Sequence, residues 1–209
     1  MQSNHFAGRR RSTGQRQGFT LVEMLAVIAI IGILAGLALA ILPNASDSAK
    51  RTRAKAQLRQ IETAITSYQA KNGFYPPDSP TSTTLNQLYY ELTGVVWDGS
   101  NYTDVNGNAV NIGTLGVGGI VNAVKPGERT RNFFGDAKIE TVDMGGALLL
   151  KVPLDWPDGF ANPPLPGKPT ANVWHYNSSR PEHNKQSYDL WAELVLRGKV
   201  VRISNWERQ

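Results

Sequence analysis

The sequence predicts an α+β protein in which one long N-terminal helix packs on a small antiparallel β-sheet head. Three patterns support this fold class: an uncharged apolar run over residues 24–42, an amphipathic helical pattern over 46–72, and short β-branched and aromatic bursts after residue 170. Strands that lay one face on the helix give an α+β head on a helical stalk. We therefore expect residues 19–72 to form the helix and 73–209 the head.

The composition is that of a folded protein with a basic N-terminus. Of 209 residues, 41% are hydrophobic and 19% are charged, which excludes a disordered chain. The net charge is +5, but four arginines precede Gly18 and the rest of the chain is nearly neutral, so no nucleic-acid partner is expected. The chain has no cysteine, which excludes disulfides, thiolate metal sites and a cysteine nucleophile.

The apolar run predicts a transmembrane helix over residues 19–43. About 19 uncharged helical residues rise roughly 1.5 Å each, which approaches the ~30 Å hydrocarbon core of a bilayer. The preceding arginines place the N-terminus in the cytoplasm and the head outside. A secretory signal cleaved near Ala38-Leu39-Ala40 and a twin-arginine export signal are weaker alternatives, because the run is long and Glu23 lies at its start.

A short motif stands directly before this run: Gly18-Phe19-Thr20-Leu21-Val22-Glu23. With the apolar run it resembles the leader and N-terminal methylation motif of type IV pilins and type II secretion pseudopilins, and the chain is most similar to the major pseudopilin. The resemblance implies that residues 1–18 are a basic leader, that a prepilin peptidase cuts after Gly18, and that the new N-terminal Phe19 is methylated. The leader is longer than is typical of that family.

The carboxylate of Glu23 needs an explanation at the edge of a membrane. An unpaired charge there is costly, so a partner is expected. Cleavage after Gly18 creates an amine at Phe19, one helical turn away. Pairing within one chain is possible, but the resemblance implies that the amine belongs to a neighbouring subunit, so that Phe19 and Glu23 set the register of a growing filament. The alternative is a carboxylate that reaches water at the interface.

Small residues recur along the apolar run. Gly32, Gly36 and Ala40 allow a second helix to approach closely, although small residues are also common in membrane helices generally. Pro43 is expected to kink or open the helix where it leaves the membrane.

The second half of the helix, residues 44–72, changes character. Leu58, Ile61, Ile65 and Tyr68 are spaced 3, 4 and 3 residues apart, with Ala54 one turn earlier, which predicts a single apolar stripe covered by a sheet. Five cationic residues lie near its start: Lys50, Arg51, Arg53, Lys55 and Arg59. They would contact anionic headgroups or acidic patches of adjacent subunits, or else form a solvated helix face.

The head begins with an N-G-x-Y-P turn at residues 72–76 that resembles major pseudopilins, and the resemblance implies a short helix over 85–92. Residues 94–127 are rich in glycine without periodicity, so we expect a variable loop with one short strand. A β-meander is predicted over 171–206. A turn at 155–159 should pack Trp156 beside that meander.

The end of the chain also resembles the major pseudopilin, at Tyr188-Asp189-Leu190-Trp191 and Ile203-Ser204-Asn205-Trp206. The family has calcium-binding aspartates between these motifs. Residues 192–202 here offer Glu193 against three cations, whereas calcium takes six to eight oxygens. We therefore expect no cofactor and no metal, and a tight hairpin turn at Arg197-Gly198.

An enzyme is the main alternative from another class. Its candidate residues lack any nucleophile or metal-ligand spacing, so no catalytic site is expected: His175, His183, Asp155, Asp158, Asp189 and Glu193. Taken with the resemblance, the sequence predicts a structural subunit of a type II secretion pseudopilus, held in the bacterial inner membrane and then assembled in the periplasm. Expected partners are other copies, minor pseudopilins, the inner-membrane assembly platform and the prepilin peptidase. The alternatives are a type IV pilus subunit for adhesion, motility or DNA uptake, and a membrane-anchored extracytoplasmic enzyme.

Overall fold

The computed structural model of the protein describes residues 18–207, with the side chains of residues 38–45 excepted. The predicted leader, apart from Gly18, lies outside the described residues, and so do the side chains of Ala40 and Pro43. The chain divides into two compact units after Ala45. Helix α1 (Leu21–Asn72) contributes to both units.

Helix α1 begins and ends close to the predicted positions. It starts at Leu21, two residues after the expected Phe19, and it continues through Pro43, where the sequence predicts a kink or opening. It ends at Asn72 because Gly73 adopts a φ of 84°, a left-handed conformation that favours glycine. The Gly73 N–H closes the last turn by donating to the Gln69 carbonyl at 2.8 Å.

In the first unit, every side chain from residue 18 to residue 37 is exposed. This part of α1 holds large apolar residues, including Leu21 at 78% exposure and Ile33 at 65%. Among the described residues, no helix has the length and hydropathy needed to cross a membrane.

In the second unit, α1 buries the stripe that the spacing predicts. Ala54, Leu58, Ile61, Ile65 and Tyr68 are each at most 2% exposed. They share one hydrophobic core with helix α2 (Leu88–Thr93) and with the inward side chains of the C-terminal sheet. The short helix implied near residues 85–92 is therefore present, and it is buried.

The segment 94–127 differs from its prediction as a loop with one strand. It contains four strands and a short helix: β1 (Val95–Trp97), β2 (Tyr102–Thr103), β3 (Ala109–Val110), α3 (Ile112–Leu115) and β4 (Ala123–Val124). The strand order is β3-β2-β1-β4, with β1 and β4 parallel and the other pairs antiparallel. Strands of two or three residues are too short to show an alternating pattern, which is why the sequence hides them.

A two-stranded sheet follows, formed by β5 (Thr141–Asp143) and β6 (Leu148–Leu150). The third sheet lies within the range predicted for a meander and has the order β7-β8-β9, all antiparallel. Its strands are β7 (His175–Asn177), β8 (Asp189–Leu196) and β9 (Lys199–Ser204).

Strand β8 alternates as a half-buried strand should. Leu190, Ala192 and Leu194 point into the core, whereas Trp191 and Glu193 face outward and are half-buried. The predicted two-residue turn joins β8 to β9, with φ of 51° at Arg197 and 70° at Gly198. Two positive φ angles are typical of the tightest β-hairpins.

These elements confirm an α+β architecture with an N-terminal helix and antiparallel sheets. The parallel pairing of β1 with β4 is the addition that the sequence did not predict. Trp156 is buried, at 2% exposure, and its ring packs edge-on against Phe160 at a centroid distance of 5.7 Å.

Candidate processing and assembly site

The start of α1 is held by a reciprocal pair of hydrogen bonds between Thr20 and Glu23. The Glu23 N–H donates to Thr20 Oγ1 at 3.2 Å, and Glu23 Oε2 accepts from the Thr20 N–H and hydroxyl, both at 2.8 Å. This is a capping box, in which the side chains of the first residues satisfy helix N–H groups that have no carbonyl partner. The T-x-x-E spacing of a capping box is present in the sequence, but the roles predicted for Glu23 did not include capping.

The cap gives Glu23 a local role in addition to its predicted one, and it leaves part of the carboxylate available. Both hydrogen bonds to its side chain end on Oε2, and Oε1 has no hydrogen-bond partner among the described residues. Glu23 and Thr20 are both exposed. The arrangement therefore fixes the direction of the carboxylate and leaves one oxygen for a cation from outside the chain.

The bond predicted to be cut is accessible. Gly18 and Phe19 precede the helix, have no regular secondary structure, and Phe19 is 76% exposed. A peptidase needs access to the backbone that it cuts, and the exposed Gly18 and Phe19 outside the helix allow it. The amine created at Phe19 would lie one residue before Thr20, whose carbonyl accepts a hydrogen bond from the Met24 N–H at 3.2 Å.

The glycines proposed for helix packing have open surroundings. A side-chain carbon built on Gly32 or Gly36 would meet nothing within 4 Å. No neighbour within the described part of the chain therefore requires a glycine at these positions. Their role in close helix approach stays a prediction, as do those of Ala40 and Pro43.

A buried carboxylate in the head was missed entirely by the sequence-based prediction. Glu91 on α2 is fully buried and accepts hydrogen bonds from the Tyr68 hydroxyl at 3.0 Å and the Gln87 amide at 2.9 Å. Its oxygens also accept from the backbone N–H groups of Val121 at 2.8 Å and Asn122 at 3.0 Å. Burial raises the pKa of Glu91, and the four hydrogen bonds act in the opposite direction. The group joins α1, α2 and the segment before β4.

The polar residues considered for an enzyme are engaged in structural contacts. Asp189 accepts from the backbone N–H groups of Glu182, His183 and Asn184 at 2.8–2.9 Å, and its Oδ2 lies 3.1 Å from His183 Nδ1. Burial opposes its ionisation, but these hydrogen bonds prevail and lower the pKa of Asp189. The pair orders the loop between β7 and β8.

Three of the remaining enzyme candidates form ion pairs or a ring stack. Asp155 forms an ion pair with Lys151 at 3.0 Å, and Glu193 forms one with Arg202 at 3.0 Å. His175 stacks on Trp191 with a centroid distance of 4.9 Å. Within the part of the chain that the structure describes, no group of three histidine or acidic residues has the geometry of a metal site.

Comparison with known proteins indicates the class of protein to which this chain is similar. Residues 14–39 match the family model described as the prokaryotic N-terminal methylation motif. The match covers the capping box, the predicted cleavage bond and both packing glycines, and it confirms the resemblance inferred from Gly18 to Glu23.

The individual relatives are secretion-system core proteins and type IV pilins. The chain is 40% identical over 80 residues to the type II secretion system core protein G of Pseudomonas aeruginosa, which covers 38% of this chain and 54% of that protein. It is 36% identical over 66 residues to the core protein G of Escherichia coli, covering 32% of this chain and 46% of that protein. A type IV major pilin of Neisseria gonorrhoeae is 35% identical over 65 residues, covering 31% and 30%.

The chain thus spans about half the length of the secretion relatives it matches. None of these three relatives is named as an enzyme, which fits the expectation that this chain is not one. No solved structure matches the chain.

Proposed function

We propose that the protein is a pilin-like structural subunit of a type II secretion pseudopilus. The observation that carries this proposal is the methylation motif, placed where an exposed Gly18-Phe19 bond meets a capped and fully exposed apolar helix. An exposed helix of this kind is unstable in water, because its apolar side chains are unfavourably hydrated until lipid or other helices cover them. A subunit stored in a membrane and then bundled with copies of itself meets that requirement.

In this proposal the prepilin peptidase removes residues 1–18 and methylates Phe19. Residues 19–43 anchor the chain in the inner membrane with the head outside, and later form the core of the filament. The capping box aims the carboxylate of Glu23, so that Oε1 accepts the Phe19 amine of the adjacent subunit. The charge pair is satisfied at one axial offset only, which sets the register. The head forms the outer wall, and the assembly platform and minor pseudopilins complete the machine.

A type IV pilus subunit is the second candidate. The match to a gonococcal type IV major pilin supports it, at an identity close to those of the secretion relatives. Both candidates use the same processing and the same helix packing, so the residues named above keep their roles in either filament.

The proposal is tested by the intact mass and N-terminal sequence of the protein purified from membranes. We expect a chain that begins at Phe19 and carries one added methyl group. A chain that begins near Ile41 would identify a secretory signal and refute the proposal, and a chain that retains Gly18 would refute the processing step.

A further inference from the structure

A cleft rich in positive charge lies within the second unit, between the start of its helical part and the β8–β9 hairpin. We call it the basal cleft. Its volume is about 430 Å³, and the residues that matter here are Asp47 and Arg51 of α1 with Leu196, Arg197, Lys199 and Val201 of the hairpin. The methylation motif does not use it, and of its residues only Arg51 is among the cations for which the sequence predicts contacts with headgroups or adjacent subunits.

The charges of the basal cleft are unbalanced. Arg197 Nε donates to Asp47 Oδ2 at 2.9 Å, so this cation and the single acid compensate each other. Arg51 and Lys199 form no ion pair among the residues that the structure describes, and both are exposed. Two cations therefore share the cleft without a counter-ion from the described residues, which favours a ligand with one or two negative charges.

The floor of the basal cleft is apolar. Leu196 and Val201 lie on the side of the hairpin that faces the core, and Leu196 is the last buried residue of β8. Cations beside an apolar floor favour an amphiphilic ligand such as a phospholipid. Its phosphate would contact the cations, and its glycerol and upper chain carbons would cover the floor. Among the described residues, no aromatic side chain lines the cleft for stacking a nucleobase.

The hairpin turn itself points to a reason for keeping arginine here. Arg197 has a φ of 51°, at a turn position where asparagine, aspartate or glycine is favoured. A long cationic side chain in a conformation that suits small residues indicates a role beyond closing the turn.

The place of the cleft in the sequence selects the ligand. Asp47 follows the end of the predicted membrane segment by four residues, so anchoring by residues 19–43 brings the cleft to the level of the lipid headgroups. This step rests on the proposed function. We propose that the basal cleft binds the phosphodiester headgroup of an anionic phospholipid, and so holds the head against the membrane until the subunit is extracted.

The test is a titration of purified full-length protein in mild detergent, followed by native mass spectrometry. The probes are dihexanoyl-phosphatidylglycerol and dihexanoyl-phosphatidylcholine, which are both water-soluble and differ in net charge. We expect one bound phosphatidylglycerol and binding of phosphatidylcholine that is weaker by about tenfold, the effect of roughly one headgroup charge in such a field.

Two double variants with the same change in net charge separate a site from general attraction. Arg51→Gln with Lys199→Gln should weaken phosphatidylglycerol binding about 30-fold, from two lost cations. Lys138→Gln with Lys185→Gln, both exposed and outside the cleft, should leave it within about twofold. All four side chains are exposed, so folding should persist, and circular dichroism checks this.

Equal binding of the two lipids, or equal losses in the two double variants, would overturn the proposal. The same preparation reports the processing at Gly18 by its mass. A chain that is cut and methylated but shows no lipid preference would refute the basal cleft alone. An unprocessed chain that binds phosphatidylglycerol would refute the processing step of the proposed function and leave the binding site standing.

Discussion

The two halves of α1 show that burial does not follow hydrophobicity in this protein. Residues 18–37 are almost entirely apolar, and all of their side chains are exposed. Residues 46–72 carry many charges, yet they bury a complete stripe from Ala54 to Tyr68. The difference lies in packing partners: the second half packs on a sheet from its own chain, and the first half has no such partner among the described residues.

Removing Glu23, the single acid of the first half, should abolish filament assembly. Glu23→Ala is expected to insert in membranes normally but to abolish entry into filaments, because the incoming Phe19 amine loses its counter-charge. Sheared filaments are compared with membrane fractions by immunoblot and electron microscopy. Normal filament yield from Glu23→Ala would contradict the register role.

Thr20→Ala is the matched control for that experiment. It removes the capping side chain but keeps the carboxylate, so only the cap is lost, at a cost of about 1 kcal/mol. We expect a partial reduction in filaments. A loss as complete as that of Glu23→Ala would assign the carboxylate to capping rather than to register.

Deleting the same side chain in each half should give opposite results. Ile65→Ala empties part of a fully buried site and should lower the free energy of unfolding of the head by about 2–5 kcal/mol. Ile31→Ala, where isoleucine is 58% exposed, should change it by less than about 0.5 kcal/mol.

Urea unfolding of detergent-solubilised protein, followed by tryptophan fluorescence, measures both variants, because all five tryptophans lie in the head. Filament yield should fall more for Ile31→Ala than the stability of the head does, since the Ile31 side chain would be covered only on assembly. Equal destabilisation of the head by both variants would show that the first half packs on its own head.

The last prediction concerns pH and the head only. Burial lowers the pKa of His175 from 6.5 to about 4. The unfolded chain binds a proton below pH 6.5 and the folded chain does not, so the free energy of unfolding should fall by about 2–3 kcal/mol as pH drops from 6.5 to 4. Unfolding in urea at several pH values measures the slope.

His175→Phe supplies the comparison, because it keeps an aromatic ring to stack on Trp191 and removes the titrating group. We expect its stability to fall less steeply over the same pH range. An unchanged slope would assign the acid sensitivity to other groups, and Asp189 is the first to examine, because its lowered pKa also makes stability decline in acid.

Structural elements with long periodic or uniform sequence patterns could be predicted from the sequence, and elements of two or three residues could not. The extent of α1, its buried stripe and the Arg197-Gly198 turn follow from spacing and turn chemistry that act over a few residues. Strands β1 to β4 contain two or three residues each, and the pairing of Val95 with Ala123 depends on contacts between distant residues. No local signal reveals them.

The candidate site divides in the same way. The motif from Gly18 to Glu23 is contiguous and therefore visible in the sequence, and the T-x-x-E spacing of its capping box is equally local. The four hydrogen bonds to Glu91 come from α1, from Gln87 just before α2 and from residues 121–122, so only the folded head brings the donors together. A buried acid of this kind cannot be distinguished from a surface acid by sequence alone.

The most direct test of the central claim is the fate of one exposed apolar residue of α1 after assembly. The chain has no cysteine, so Leu34→Cys introduces a single thiol at a position that is 60% exposed in the isolated chain. In sheared filaments we predict that this thiol resists a water-soluble maleimide and forms disulfides between copies on oxidation, while Lys138→Cys on the head is labelled. A mature protein that remains a single soluble particle, with Leu34→Cys labelled as readily as Lys138→Cys, would contradict assembly through this helix.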